Sequence, residues 1–142
     1  MQESSKRCET VSIVDVDESV RESLATFLRA LGLEVRTFSS AECLLESLEN
    51  EAPGCVICEV HLPGMSGIDL QKSLKGKGFH CPVILLASDA TIAETVEAMH
   101  LGALDVVEKP FIASRVLTRV RQTMSSSQNP ASQRRYVESE SR

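Results

Sequence analysis

The stretch Cys55-Val-Ile-Cys-Glu-Val-His-Leu-Pro-Gly-Met-Ser-Gly67 decides the fold of this chain. It begins as a short apolar run, which is typical of a buried β-strand, and the run ends in a carboxylate, Glu59. A loop that contains proline and glycine follows directly. Because ligands bind beyond the carboxyl ends of the strands in an α/β sheet, Glu59 is predicted to lie at a functional site.

The same order of a strand followed by a helix recurs along the chain. Apolar runs predict four further strands, at residues 10–14, 33–38, 82–87 and 103–107. Apolar residues at helical spacing predict helices at about residues 18–31, 39–48, 66–76, 91–100 and 112–124. The 82–87 strand is the most apolar and is predicted to be central. This alternation predicts an α/β fold, a (βα)5 doubly wound parallel sheet in the flavodoxin-like strand order 2-1-3-4-5.

Three of the predicted helices begin with capping signals. Ser39 with Glu42, and Thr91 with Glu94, have the spacing of a capping box, in which each side chain bonds the backbone of the other residue. Ser66 is placed to cap the helix that follows the opening stretch. These signals indicate where the helices begin, and therefore where the strand-to-helix loops lie.

The composition predicts one domain. The chain has 142 residues, of which 42% are hydrophobic and 25% are charged, and these are ordinary values for a globular protein. We place the domain at residues 9–124 and a flexible N-terminus at residues 1–8. Residues 125–142 are predicted to be a disordered tail, because they are rich in serine and poor in apolar side chains.

The charge and the apolar runs disfavour several classes of partner. The net charge is −5, whereas nucleic acids and anionic membranes attract basic proteins. Gln133–Tyr136 is too short to predict DNA binding, and we expect no DNA-binding domain. No apolar run reaches the roughly 18 residues of a membrane span. The first ten residues lack the apolar core of a signal peptide, so we expect no membrane contact and a cytoplasmic location.

The cysteines predict buried, reduced thiols. Five cysteines form an odd set without a secretion signal, which disfavours a disulfide framework. Cys55 and Cys58 have the spacing of a redox or metal motif. Residues three apart on a strand point to opposite faces, however, so the two sulfurs are not expected to meet.

Side chains suited to chemistry follow four of the five predicted strands. The first strand ends at Asp15, Val16 and Asp17; the others contribute Glu59, Ala87 with Ser88, and Lys109 with Pro110. In the predicted strand order, these ends meet at one edge of the sheet. The sequence therefore predicts a pocket that contains carboxylates and a lysine.

Four motifs resemble a response-regulator receiver domain of the CheY-like superfamily, in its FixJ-like branch. They are residues 13–21 (IVDVDESVR), 61–67 (HLPGMSG), 97–103 (EAMHLGA) and 107–111 (VEKPF). The resemblance covers about residues 9–124. It implies transfer of a phosphoryl group from a histidine kinase to an aspartate that ends the third strand.

The resemblance also implies the other parts of that site. Two adjacent acids at the end of the first strand hold Mg²⁺, together with the acceptor aspartate and a backbone carbonyl. A threonine or serine that ends the fourth strand bonds the phosphoryl oxygen. A lysine that ends the fifth strand, often before a cis-proline, completes a clamp that stabilises phosphoryl charge.

This chain departs from that pattern at several positions. Val16 stands in place of the second acid, Glu59 in place of the acceptor aspartate, and Ala87 in place of the hydroxyl residue. Val106 stands where the family often has an aromatic residue. Three positions keep the usual identity: Asp15, Lys109 and Pro110. We therefore predict a degenerate pseudo-receiver without enzymatic activity or a resident cofactor, in which Asp15 and Glu59 bind Mg²⁺ weakly or not at all.

Two substitutes for the missing groups remain open. Asp17 is able to replace the lost metal ligand or to cap the first helix, and we favour the cap. Ser88 supplies a hydroxyl only if the fourth strand slips by one residue, which would turn core side chains outward. The longer Glu59 is expected to reach Lys109, and the pocket is then either locked or a mimic of the phosphorylated state. We favour a locked pocket.

The leading functional hypothesis is a stand-alone atypical receiver that acts through protein contacts in two-component signalling. The expected partner is a sensor histidine kinase or another response regulator, and a homodimer is a further expectation. The face formed by the fourth helix, fifth strand and fifth helix is the expected contact surface, with some of its residues in the core: Ile92, Val96, Met99, Ile112 and Arg115. The alternative is a functional phospho-receiver that accepts phosphate at Glu59. Flavin mononucleotide binding is disfavoured, because the acidic residues 15–18 would repel phosphate.

Overall fold

The computed structural model describes residues 10–48 and 52–128. Its strands are β1 (Thr10–Val14), β2 (Glu34–Phe38), β3 (Cys55–Glu59), β4 (Val83–Ala87) and β5 (Asp105–Glu108). Its helices are α1 (Glu18–Ala30), α2 (Ala41–Ser47), α3 (Gly67–Gly76), α4 (Ile92–His100) and α5 (Ala113–Gln128). Strands and helices alternate as predicted. In the described ranges, no helix is both long enough and apolar enough to cross a membrane.

The five strands form one parallel sheet in the order β2-β1-β3-β4-β5, which confirms the predicted topology. The 82–87 strand, predicted to be central, lies inside the sheet as β4, between β3 and β5. Both β3 and β4 are buried along their whole length. Strands that are covered by helices on both faces are similarly apolar, so composition alone does not rank them.

The core consists of two apolar clusters, one on each face of the sheet. One cluster contains Cys58 and packs under α2, α3 and α4, whereas the other contains Cys55 and packs under α1 and α5. The two sulfurs therefore lie on opposite faces of β3, as the strand geometry predicted. Burial is the main reason why the pKa of Cys55 rises to about 12, which keeps this thiol protonated at neutral pH.

Two element boundaries differ from the predicted ones. β5 begins at Asp105 instead of residue 103, because the Ala103 N–H bonds the Ala98 carbonyl and closes the end of α4. α5 continues to Gln128, so residues 125–128 are helical and the predicted tail begins too early. Serine is only a moderately poor helix former, and extending an existing helix is easier than starting one. The predicted segment 1–8 and the tail beyond residue 128 lie outside the described residues.

The predicted capping box at the start of α2 is wrong. The N-cap is Ser40, whose hydroxyl accepts a hydrogen bond of 3.1 Å from the Cys43 N–H. Glu42 instead reaches across to the β3–α3 loop, where its Oε2 accepts from the Met65 N–H at 3.0 Å. The other two helix starts carry the expected signals, since Ser66 and Thr91 are both N-caps of complete capping boxes.

Gly67 is the one position in the opening stretch where a side chain would collide with the backbone. A Cβ there would lie 2.5 Å from the carbonyl oxygen of Glu59. We expect Gly67→Ala to lower the free energy of unfolding by about 1–3 kcal/mol, because the loop must shift to relieve the contact. Urea denaturation of the purified chain measures this change.

Gly76 provides the matched control for that substitution. It lies at the end of the same helix, and a Cβ there would meet no atom within 4 Å. Gly76→Ala should leave the free energy of unfolding unchanged or raise it by up to about 1 kcal/mol. Equal effects of the two substitutions would contradict the assigned close approach of Gly67 to Glu59.

Candidate functional site

The carboxyl ends of β1, β3 and β5 bring three charged side chains together. The ammonium of Lys109 lies 2.8 Å from Asp15 Oδ2 and 2.6 Å from Glu59 Oε1. The side chains of Asp15 and Glu59 are 0% and 6% exposed, and that of Lys109 is 15% exposed. The expected contact between Glu59 and Lys109 is therefore present, and Asp15 shares the same lysine.

Each oxygen of the two carboxylates has a neighbour within the domain. Asp15 Oδ1 accepts a hydrogen bond of 2.9 Å from the Asp17 N–H, and Glu59 Oε2 accepts one of 3.1 Å from the His61 N–H. The other two oxygens face Lys109. Asp15 Oδ2 is an ion-pair partner of that ammonium but lacks the angle of a hydrogen bond to it, so the attraction is mainly Coulombic.

The backbone around Lys109 fixes the direction from which it enters the pocket. Its N–H donates a hydrogen bond of 2.7 Å to the carbonyl of Ala87, which joins the ends of β5 and β4. The peptide bond to Pro110 is cis, as the resemblance implied. Arg21 fixes the opposite side, because its guanidinium donates to the Asp15 carbonyl at 2.6 Å.

The pKa of Lys109 shows that the pocket favours a charged ammonium. Burial disfavours the charged form and lowers this pKa. The short ion pairs with Asp15 and Glu59 act in the opposite direction and outweigh the burial, so the pKa of Lys109 lies above its ordinary value. The lysine is therefore fully protonated at neutral pH.

The two residues after Asp15 do not add a second acid to the pocket. Val16 is 54% exposed and carries no oxygen. The side chain of Asp17 caps α1, where it accepts hydrogen bonds from the Ser19 and Val20 N–H groups. The favoured interpretation of Asp17 as the cap of the first helix is therefore confirmed.

β4 keeps its predicted register, and its last residue is Ala87. Ala87 is buried and pairs with Glu108, so the alternative of a one-residue slip is contradicted. Ser88 is exposed in the following loop. It lines a cleft of about 550 Å³ between α1 and the β5–α5 loop, which Lys109 also reaches.

His61 connects this pocket to α4, a link that the sequence analysis missed. Its N–H binds Glu59, and its Nε2 lies 2.9 Å from Glu94 Oε2. Glu94 also completes the capping box of α4 by accepting from the Thr91 N–H at 2.8 Å. That bond and the contact with His61 lower the pKa of Glu94. His61 and Glu94 are distant in sequence, so no local pattern signals their contact.

The described part of this pocket offers few free oxygen ligands to a cation such as Mg²⁺. The ion requires a near-ideal octahedron of oxygen ligands. Here two carboxylates contribute oxygens, and all of these oxygens already face a donor or the ammonium of Lys109. Across residues 10–48 and 52–128, no group of three or more histidine, cysteine, aspartate or glutamate side chains is arranged to hold a metal ion.

Comparison with known proteins gives one family. The family model described as the response regulator receiver domain matches residues 11–121. Transcriptional regulatory protein FixJ of Azorhizobium caulinodans is 38% identical over 117 residues, which are 82% of this chain and 56% of the relative. Response regulator protein TodT of Pseudomonas putida is 38% identical over 117 residues, 82% of this chain and 52% of the relative. The chain thus spans about half the length of these curated relatives.

Solved structures show the same fold. A crystal structure of FixJ-N is 33% identical, with a TM-score of 0.74 over 82% of this chain and 93% of that one. A low-resolution structure of the response regulator StyR is 36% identical, with a TM-score of 0.77 over 93% of this chain and 65% of that one.

Proposed function

This chain belongs to the response regulator receiver family, and we propose that its two-component signalling does not require phosphorylation of Glu59. In this proposal the domain is a pseudo-receiver that acts through protein contacts. The observation that carries the proposal is the position of Lys109, which is ion-paired with both carboxylates of the pocket. The charged groups of the site pair with one another instead of remaining available for an incoming phosphoryl group and its cation.

The geometry of Glu59 disfavours phosphoryl transfer. Its side chain is one methylene longer than that of aspartate, and an error of about 1 Å in the position of an attacking atom can lower the rate about 100-fold. One of its oxygens lies 2.6 Å from Lys109, and the other accepts from the His61 N–H. An attacking oxygen would have to give up one of these contacts.

The electrostatic balance disfavours the metal ion that assists such transfer. Two carboxylates against one ammonium leave a formal surplus of one negative charge, whereas a pocket with a second acid in place of Val16 would have a surplus of two. A smaller surplus attracts a divalent cation less strongly. We therefore propose that Mg²⁺ binds this pocket weakly or not at all.

The side chains that would bond to a phosphoryl group or move in response to it are also missing. Ala87 has no hydroxyl with which to bond a phosphoryl oxygen, and Val106 has no aromatic ring to move in response. The contact between Glu59 and Lys109 is formed without any modification. We therefore propose a locked pocket in preference to a mimic of the phosphorylated state, because a mimic would still need the hydroxyl that Ala87 lacks.

The direct test is incubation of the purified chain with acetyl phosphate and Mg²⁺, followed by mass spectrometry of the intact protein. We expect no gain of a phosphoryl group, and no saturable change in amide chemical shifts on titration with Mg²⁺. A phosphoryl group located on Glu59 by peptide mapping would contradict the proposal. It would support the alternative, a functional phospho-receiver that accepts a phosphoryl group from a histidine kinase.

The contact surface of this pseudo-receiver is proposed to be the face of α4, β5 and α5. Ile92, Val96 and Ile112 are 84%, 61% and 74% exposed. The expectation that some of the five named residues belong to the core is wrong, because all of them are exposed: Ile92, Val96, Met99, Ile112 and Arg115. Exposed apolar side chains that lie together favour a protein interface.

Charged residues border this apolar surface. Arg119 donates a hydrogen bond of 3.0 Å to Asp105 Oδ2, and Arg115 lies 3.6 Å from the same oxygen. An apolar centre with a polar border is the usual arrangement of a protein interface. We propose a second copy of this domain as the occupant, through the same face on both copies.

The double substitution Ile92→Ser with Val96→Ser tests this surface. It should abolish self-association in sedimentation-velocity experiments over a range of concentrations, because two central apolar contacts are lost. The free energy of unfolding should change by no more than about 0.5 kcal/mol, since both side chains are exposed. Leu31→Ser, an exposed apolar residue after α1, is the control and should leave association unchanged. A wild-type chain that stays monomeric at every concentration would refute the dimer.

A further inference from the structure

The helix α4 buries little apolar surface against the domain. It is described along its whole length and has one buried residue, Ala98, near its carboxyl end. Gln71 of α3 fixes the same end, because its side-chain Nε2 donates a hydrogen bond of 3.2 Å to the Ala98 carbonyl. In the first two turns, Ile92 and Val96 are exposed to solvent. A segment with few buried apolar contacts opens locally at a low free-energy cost, so polar contacts decide how firmly these turns are held.

Two side-chain contacts join the first two turns of α4 to neighbouring elements. His61, in the loop between β3 and α3, places its Nε2 3.1 Å from Glu94 Oε1 and 2.9 Å from Glu94 Oε2. Lys72 of α3 lies 2.9 Å from Glu97 Oε2. Of these two partners of α4, His61 is the one that also contacts a residue of the acidic pocket.

The backbone of His61 is fixed on the side of the pocket. Its N–H donates a hydrogen bond of 3.1 Å to Glu59 Oε2. Its neighbours in sequence, Val60 and Leu62, are both buried, so the peptide groups on either side of His61 have little freedom to move. A displacement of the Glu59 carboxylate therefore acts directly on the residue that holds Glu94.

Glu94 forms the other end of the connection, at the start of α4. Its Oε1 accepts a hydrogen bond of 2.8 Å from the Thr91 N–H, and its own N–H donates to Thr91 Oγ1 at 3.0 Å. This capping box orders the first turn, where the Thr95 N–H donates to the Thr91 carbonyl at 3.0 Å. One carboxylate thus binds both the helix cap and the imidazole of His61. A shift of His61 either moves this carboxylate or breaks its contact with the imidazole, and both outcomes alter the start of α4.

We propose that His61 is a positioning residue that couples the acidic pocket to the start of α4. The coupling runs from Lys109 and Glu59 through the backbone and imidazole of His61 to Glu94. It uses neither of the two positions at which the hydroxyl and the aromatic side chain are missing. The inference does not rest on the proposed function, because these residues are connected in the same way whether or not Glu59 accepts a phosphoryl group.

The test is a double-mutant cycle on the ¹⁵N-labelled full chain, followed by amide chemical shifts. Glu59→Asp shortens the carboxylate and changes the pocket end of the connection. His61→Ala removes the imidazole but keeps the backbone N–H that binds Glu59. We expect Glu59→Asp to shift the amide signals of residues 91–94 in the wild-type background and to leave them in place in the His61→Ala background. Equal shifts in both backgrounds, or none in the wild-type background, would overturn the proposal.

Hydrogen exchange measures separately how firmly α4 is held. His61→Ala should speed exchange of the Thr95 amide about two- to fivefold, because a partly exposed contact between charged groups is lost. An unchanged exchange rate would show that His61 does not hold the helix. All samples are compared at the same low protein concentration, and sedimentation velocity checks that their oligomeric state is the same, so self-association does not enter the comparison.

Lys72→Met provides the matched control, because it breaks the other side-chain contact of α4 and leaves the pocket unchanged. The shifts caused by Glu59→Asp should persist in this background. His61→Arg is the conservative variant. A guanidinium donates to both oxygens of a carboxylate, so His61→Arg should restore the response of α4 to Glu59→Asp. Loss of the response in Lys72→Met, or its absence in His61→Arg, would show that the coupling does not pass through the contact between residues 61 and 94.

Discussion

Lys109→Met should lower the free energy of unfolding by about 3–5 kcal/mol, the largest loss expected from any single substitution in the acidic pocket. The substitution removes the ammonium that lies 2.8 Å from Asp15 and 2.6 Å from Glu59. Two buried carboxylates then face each other without a cation. Breaking a buried ion pair by removing one partner leaves an uncompensated buried charge, which is strongly destabilising. Urea denaturation followed by circular dichroism measures the effect.

An exposed ion pair of similar length provides the control. Lys72 lies 2.9 Å from Glu97, but their side chains are 52% and 46% exposed. Lys72→Met should leave the free energy of unfolding nearly unchanged, because solvent screens the pair. Adding Glu59→Gln to Lys109→Met should recover part of the stability by removing one of the two buried charges. Equal effects of Lys109→Met and Lys72→Met would contradict the burial argument.

The combined substitution Val16→Asp, Glu59→Asp and Ala87→Thr should make the chain accept a phosphoryl group from acetyl phosphate. It supplies the second acid, shortens the acceptor and returns a hydroxyl at the end of β4. We expect the rate of phosphorylation in the presence of Mg²⁺ to rise by about 100-fold or more, because the acceptor oxygen regains its in-line position and the metal regains a ligand. Mass spectrometry of the intact protein over time gives this rate.

The single substitutions and one blocked variant test the reasoning behind this gain. Glu59→Asp alone and Val16→Asp alone should each give a much smaller increase, since either the cation site or the acceptor remains defective. Val16→Asp, Glu59→Asn and Ala87→Thr together should give no phosphorylation, because an amide is not a phosphoryl acceptor. Full activity from Glu59→Asp alone would show that Val16 and Ala87 do not impair the site.

The members of the acidic pocket were predictable from the sequence. Asp15, Glu59 and Lys109 each follow a predicted strand, and the strand order brings these ends to one edge of the sheet. The contact between Glu59 and Lys109 followed from the added length of the glutamate side chain. The capping role of Asp17 was also predictable, because an N-cap bonds residues only two or three positions away.

Two contacts between distant segments were not predictable from the sequence. Glu42 has the spacing of a capping box, yet it binds the Met65 N–H, which is 23 residues away. His61 binds Glu94, which is 33 residues away. A local pattern reports competition among neighbouring residues only, whereas these side chains bind partners that the packed sheet and loops place near them.

The sequence by itself therefore determined the strands, the helices, their order in the sheet and the residues that end each strand. Periodicity and capping depend on residues within about four positions of one another, so they can be inferred along the chain. Only the tertiary structure decided that Lys109 forms ion pairs with both Asp15 and Glu59, and that each oxygen of these two carboxylates has a neighbouring donor or cation. It alone showed that Gln71 Oε1 is left without a donor. Such pairings depend on distances between segments that are far apart in sequence, and those distances are set when the helices pack on the sheet.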